Sequence, residues 1–94
     1  MKDDGLSARA LVTIRNRLGL HARPAMAFVD TANQFDCDIR VSKANQVVDG
    51  KSIMQMMMLA AAQGTQLEIV AEGADAGQAV EQLQQLVDRK FDEE

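Results

Sequence analysis

At 94 residues the chain is one small domain, with room for one modest core and little more. Apolar residues make up 47% of it, yet there is no Trp or Tyr, so the core must be built from aliphatic side chains, Met, Ala and three Phe. The net charge of −4, with acidic residues gathered at both ends and Lys and Arg scattered, argues against a nucleic-acid surface.

No apolar run follows Met1-Lys2-Asp3-Asp4, so neither a signal peptide nor membrane insertion is expected, and the cytoplasm is the default compartment. Residues 1–7 read as a flexible extension. Ala8 to Ile14 alternates, with Ala10, Val12 and Ile14 on one side and Arg9, Leu11 and Thr13 on the other, which predicts a half-buried strand. Asn16-Arg17-Leu18-Gly19 breaks it.

Ala22 to Gln34 reads as a helix through Ala22, Ala25, Met26, Val29 and Ala32. Pro24 is tolerated only in its first turn, which fixes the helix start within a residue or two and puts His21 at the N-cap. Cys37, the one cysteine, has no partner for a disulfide or a metal site and reads as a half-buried residue in a reducing compartment.

Asp38 to Lys43 alternates again, Lys43-Ala44-Asn45 turns, and Gln46 to Val48 returns before Asp49-Gly50. Ser52 and Gln55 form a capping-box pattern for a helix of about two turns that ends before Gly64. Gln66 to Glu72 is a fourth strand. Asp75 caps a last helix whose stripe is Ala79, Val80, Leu83, Leu86, Val87 and Phe91. The tail Asp92-Glu93-Glu94 reads as a solvated end. The order β-α-β-β-α-β-α predicts an antiparallel four-stranded sheet covered on one side by helices.

His21 is the residue most suited to chemistry. The N–H groups of Ala22 and Arg23 have no partner inside the helix, so the helix start is an anion site, and Arg23 can grip a phosphate with two hydrogen bonds. The positive helix end disfavours a protonated imidazole, which leaves a nucleophilic ring beside a phosphate cradle. No nucleotide-binding glycine loop or metal-ligand spacing appears, so no cofactor is expected and a docking partner must complete the reaction.

Gly19-Leu20-His21-Ala22-Arg23-Pro24-Ala25 resembles the active-site signature of the HPr family, the histidine phosphocarriers of the bacterial sugar phosphotransferase system. Asp49-Gly50-Lys51-Ser52-Ile53-Met54 is similar to that family's second signature, around its regulatory serine. Gln63-Gly64-Thr65 and Ala71-Glu72-Gly73 are similar to the segments bounding its last strand, so the resemblance covers about residues 8–91.

The resemblance implies an α+β fold, an HPr-like open-faced β-sandwich with three helices on one face of the sheet. It implies that His21 is phosphorylated on Nδ1 by phosphorylated enzyme I and passes the group to a histidine of a IIA domain. Arg23 and Ala22 would cradle the phosphate, and Pro24 would set the helix start. Ser52 would be the target of an HPr kinase/phosphorylase. Such a protein is a cytoplasmic, monomeric carrier used stoichiometrically rather than an enzyme.

Met54, Met56, Met57 and Met58 cannot all face the core of one short helix. Ile53, Met54 and Met57 share a face that, by the resemblance, meets enzyme I; adaptable thioethers suit a surface with several partners. Gln55 stands where the family often has a small or basic residue.

Phe91-Asp92-Glu93-Glu94 resembles the ending of the nitrogen-related branch of such carriers, whereas Asp49-Gly50-Lys51-Ser52 resembles the sugar branch. A purely regulatory binding module of this kind would lack the active histidine, which is present here. An RNA-binding sandwich would expose aromatic residues on the open sheet face, and the predicted strands have none.

Overall fold

The computed structural model describes residues 6–93. Strands β1 (Ser7–Thr13), β2 (Asp38–Lys43), β3 (Gln46–Asp49) and β4 (Gln66–Glu72) form one sheet in the order β1-β4-β2-β3, with every neighbouring pair antiparallel. Helices α1 (Ala22–Ala32), α2 (Ile53–Met58) and α3 (Ala76–Asp88) cover one face.

The period-two pattern sets the register. Val12 lies opposite Leu67 and Val41 opposite Ile69, all four buried, so the inward residues of adjacent strands meet on the helix side. Phe28 from α1, Met56 and Leu59 from the α2 region and Leu83 and Val87 from α3 close over them. The other sheet face is wet: Leu11 is exposed, and Arg9 pairs with Glu68 at 3.1 Å.

The structure revises several expectations at the ends of elements. Of the extension expected at 1–7, residues 1–5 lie outside the described residues. Ser7 already pairs with Glu72 in β1, and the Leu6 carbonyl accepts from Gly73 N at 2.7 Å, so Ser7 belongs to the sheet and Leu6 is tied to its edge. Helix α1 stops at Ala32, two residues before Gln34, where the Asn33 side-chain amide donates to the Val29 carbonyl at 3.0 Å.

The capping box is half formed. Gln55 N donates to Ser52 Oγ at 3.2 Å, but Gln55 Oε1 accepts from Asp49 N at 2.9 Å instead of returning to the Ser52 amide. The side chain thereby ties α2 to the end of β3. Helix α2 then ends early, as Ala60 turns left-handed at φ 49°. Gly50 sits against β2: a Cβ there would lie 2.7 Å from Ile39 Cγ2.

Asp75 is at the N-cap of α3, yet its side chain makes no cap hydrogen bond. It reaches across instead to accept from Asp36 N at 2.9 Å and Cys37 N at 3.0 Å. The hydrogen bond from Asp36, the largest of several, holds its carboxyl below the ordinary aspartate value. Cys37 is buried rather than half-buried, and burial, helped by Asp75, pushes its thiol up to about 11.

The largest departure is at the C-terminal end. Phe91 does not continue the α3 stripe. The helix ends at Asp88, and Lys90, Phe91 and Asp92 form a left-handed turn with φ of 61°, 55° and 61°. That turn drops the Phe91 ring into the core. No helix among the described residues is long and apolar enough to cross a membrane.

Candidate functional site

The segment between β1 and α1 is built to hold one residue at a helix start. Gly19 N donates to the Asn16 carbonyl at 3.1 Å, and the Asn16 side-chain amide returns to the Gly19 carbonyl at 2.7 Å. Gly19 has φ +73°, and a Cβ there would lie 2.6 Å from the Ala61 carbonyl oxygen, so the turn requires glycine. Leu20 N then donates to that same Ala61 carbonyl at 2.8 Å, which ties the turn to the chain leaving α2.

His21 follows as the N-cap of α1, with extended backbone and no cap hydrogen bond from its side chain. Its carbonyl accepts from Ala25 N at 3.0 Å, the first closed turn of the helix. Ala22 and Arg23 are therefore the first two helical residues, and their N–H groups have no intrahelical acceptor. Pro24 is third, has no N–H to satisfy, and is buried. The expected helix start is reproduced to the residue.

The His21 ring is partly exposed, and its Nε2 lies 3.0 Å from Glu93 Oε1. The same carboxylate oxygen accepts from the Asn16 side-chain amide at 3.0 Å. Glu93 is thus no solvated tail residue: its side chain is only 20% exposed and closes onto the site. The hydrogen bond from His21 is the chief cause holding its carboxyl below the ordinary glutamate value, and Asn16 and the charge of Arg23 act in the same direction. Glu94 lies outside the described residues.

Arg17, Leu18, His21, Arg23 and Glu93 line an open concavity of about 290 Å³. His21 and Arg23, both read from sequence, are brought together there. Asn16, Arg17 and Glu93 were not read as site residues. Glu93 stands 72 positions from His21. No local spacing links the two, and the only sequence signal was an acidic ending.

Ser52, Ile53, Met54 and Met57 do not line this concavity. Ser52 is half-buried as the N-cap of α2. Ile53 packs partly against the core, while Met54, Met57 and Met58 are exposed and Met56 is fully buried, so the four Met side chains do divide between core and surface. Among the described residues no group of three His, Cys, Asp or Glu side chains is placed to hold a metal ion. The arrangement offers one imidazole, two backbone N–H donors and guanidinium groups around an open surface. It suits attack on an anion brought by another molecule.

The PTS-HPr family, described as the PTS HPr component phosphorylation site, matches residues 8–89. The phosphocarrier protein HPr of Pseudomonas aeruginosa is 47% identical over 83 residues, which span 87% of this chain and 92% of that protein. The phosphocarrier protein HPr of Neisseria meningitidis serogroup A is 46% identical over 82 residues, spanning 87% of this chain and 92% of its own length. Among solved structures, HPr-C-His from Thermoanaerobacter tengcongensis superposes with a TM-score of 0.89 at 44% identity, covering 93% of this chain and 98% of that one.

Proposed function

The chain belongs to the HPr family of phosphotransferase-system phosphocarriers, and we propose that it carries the phosphoryl group on His21 Nδ1, from phosphorylated enzyme I to a histidine of a IIA domain. The observation that carries this is the position of His21 at the N-cap of α1, with the Ala22 and Arg23 amides unpaired beside it and Arg23 lining the same concavity.

The Nδ1 lone pair forms the new P–N bond, while the P–N bond to the donor's histidine breaks and its electron pair stays with the donor nitrogen. The Ala22 and Arg23 amides and the Arg23 guanidinium face the charge on the phosphoryl oxygens. The second transfer reverses these roles. The protein acts as a stoichiometric carrier in the cytoplasm, as a monomer, with no cofactor.

Ser52 is the proposed target of an HPr kinase/phosphorylase. Its Oγ accepts one hydrogen bond, from Gln55 N, and its side chain is not enclosed. A phosphate there adds negative charge beside the exposed Met54 and Met57, the proposed enzyme I docking surface, and so acts on docking.

Incubation with enzyme I and phosphoenolpyruvate, followed by mass analysis, tests the main reading. A gain of one acid-labile phosphate, absent in His21→Ala, is expected. A wild-type protein that stays unlabelled beside a competent enzyme I would end it. Failure of the cognate kinase to label Ser52 would remove the regulatory part alone.

A further inference from the structure

Resting on His21 as the phosphoryl acceptor, we infer that Glu93 is a positioning residue that fixes which ring nitrogen reacts. Its carboxylate, held by Asn16, takes the N–H edge of the imidazole and leaves the Nδ1 lone pair toward the phosphoryl donor.

An ionised carboxylate can only accept hydrogen bonds. With Glu93 Oε1 3.0 Å from His21 Nε2, the proton of a neutral ring must sit on Nε2. A neutral imidazole has one N–H, so Nδ1 is the unprotonated, nucleophilic nitrogen.

Asn16 makes this a fixed arrangement. It is completely buried, and its amide nitrogen donates both to the Gly19 carbonyl at 2.7 Å and to Glu93 Oε1 at 3.0 Å. A flipped amide would aim its oxygen at two acceptors, so the orientation is determined. Among the described residues the buried Asn16 Oδ1 has no partner, which is what this orientation costs. Asn16 thus ties the Gly19 turn to Glu93, and Glu93 alone touches the ring, while Phe91, two residues before it, is buried in the core.

The same contact serves the phosphorylated state. When Nδ1 gains its P–N bond the ring keeps its proton on Nε2 and becomes a phosphoimidazolium. Glu93 then faces a positive ring, and no proton has to leave during transfer. Among the described residues, Arg17 and Arg23 are the other charged groups lining this concavity. The opposite role, a carboxylate that blocks the phosphate position, fits the geometry less well, because Glu93 engages the nitrogen that does not react.

His21 is the only histidine, so its ring nitrogens give an uncrowded 15N spectrum. In the unphosphorylated protein, at a pH where the ring is neutral, wild type should show the Nε2–H tautomer. Glu93→Ala should give a measurable mixture of tautomers, and Glu93→Gln, which keeps an acceptor oxygen, should restore most of the Nε2–H form.

With enzyme I, Glu93→Ala should lower the maximal phosphorylation rate about tenfold with little change in KM, and Glu93→Gln should lie between Glu93→Ala and wild type. An unchanged ring spectrum in Glu93→Ala, or a variant phosphorylated faster than wild type, would overturn the role given to Glu93. An inert wild type would instead overturn the phosphocarrier reading. The ring measurement needs no phosphoryl donor, so the two failures are separable.

Discussion

Phe91→Ala separates an anchor from a core residue. The left-handed backbone costs about 1–2 kcal/mol for each non-glycine residue, so the turn at Lys90, Phe91 and Asp92 stores about 3–6 kcal/mol. Burial of one Phe ring returns about 1.5–3 kcal/mol. The turn is therefore held by the ring together with the local hydrogen bonds from Asp92 N to the Arg89 carbonyl and Glu93 N to the Lys90 carbonyl, both 3.0 Å, and the donors on Glu93. Without the ring, the turn relaxes and its strain is released instead of a cavity persisting. The expected global loss is below about 2 kcal/mol, against about 3–5 kcal/mol for Phe28→Ala, whose ring lies beneath α1 with no turn to relax. Urea unfolding followed by far-ultraviolet circular dichroism measures both, since the chain has no Trp or Tyr to report by fluorescence. Phe91→Ala should also give the His21 ring spectrum of Glu93→Ala. An equal loss in the two Phe variants, or a wild-type ring spectrum in Phe91→Ala, would refute the anchor argument.

Gly19→Ala combines a left-handed φ with a Cβ 2.6 Å from the Ala61 carbonyl oxygen, so it should cost at least about 1–2 kcal/mol in unfolding free energy. The depressed values of Asp75 and Glu93 contribute stability that is complete above the ordinary carboxylate range and lost as pH falls through their lowered folded values. Acid titration of Asp75→Asn and Glu93→Gln should accordingly show smaller losses below roughly pH 4 than wild type. Cys37 has the opposite sign: a thiol at about 11 when folded and near 8.5 when unfolded leaves the native state losing stability above roughly pH 8.5, and Cys37→Ala should flatten that alkaline limb. Alkylation of the native thiol at pH 8 should be far slower than that of the urea-unfolded chain.

The elements that periodicity could define were legible in the sequence. Val12, Val41, Leu67 and Ile69 alternate because one sheet face is dry, and alternation is visible without knowing which strands pair. Pro24 marked the start of α1 because its ring permits only the first turn, a restriction internal to the chain. Side chains whose acceptors or donors lie across the fold were not legible. Asp75 looks like a cap for α3, and by local spacing it is one, but β4 and β2 are neighbours in the sheet and bring the Asp36 and Cys37 amides within its reach. Gln55 likewise satisfies Asp49 rather than closing its own box. In each case a local rule named the right residue and tertiary packing chose a different partner.

The same division runs through the site and explains why half of it was missed. His21, the proposed nucleophile, the free amides of Ala22 and Arg23 and the Arg23 side chain come from consecutive positions, because a helix start gathers them by its own geometry. Glu93, the residue inferred to select a ring nitrogen, comes from the far end of the chain, because α3 packs across β1 and β4 and the turn after it reaches the β1–α1 loop. An aromatic residue three positions beyond Asp88 looks like one more member of the α3 stripe, and only the left-handed turn at Lys90 reveals it as the pivot that aims Glu93 inward. If the stripe had continued, Glu93 would have followed the helix and not folded back onto His21. The left-handed turn is thus the structural cause of the contact, and the start of α1 and the carboxylate of the C-terminal turn meet at one imidazole.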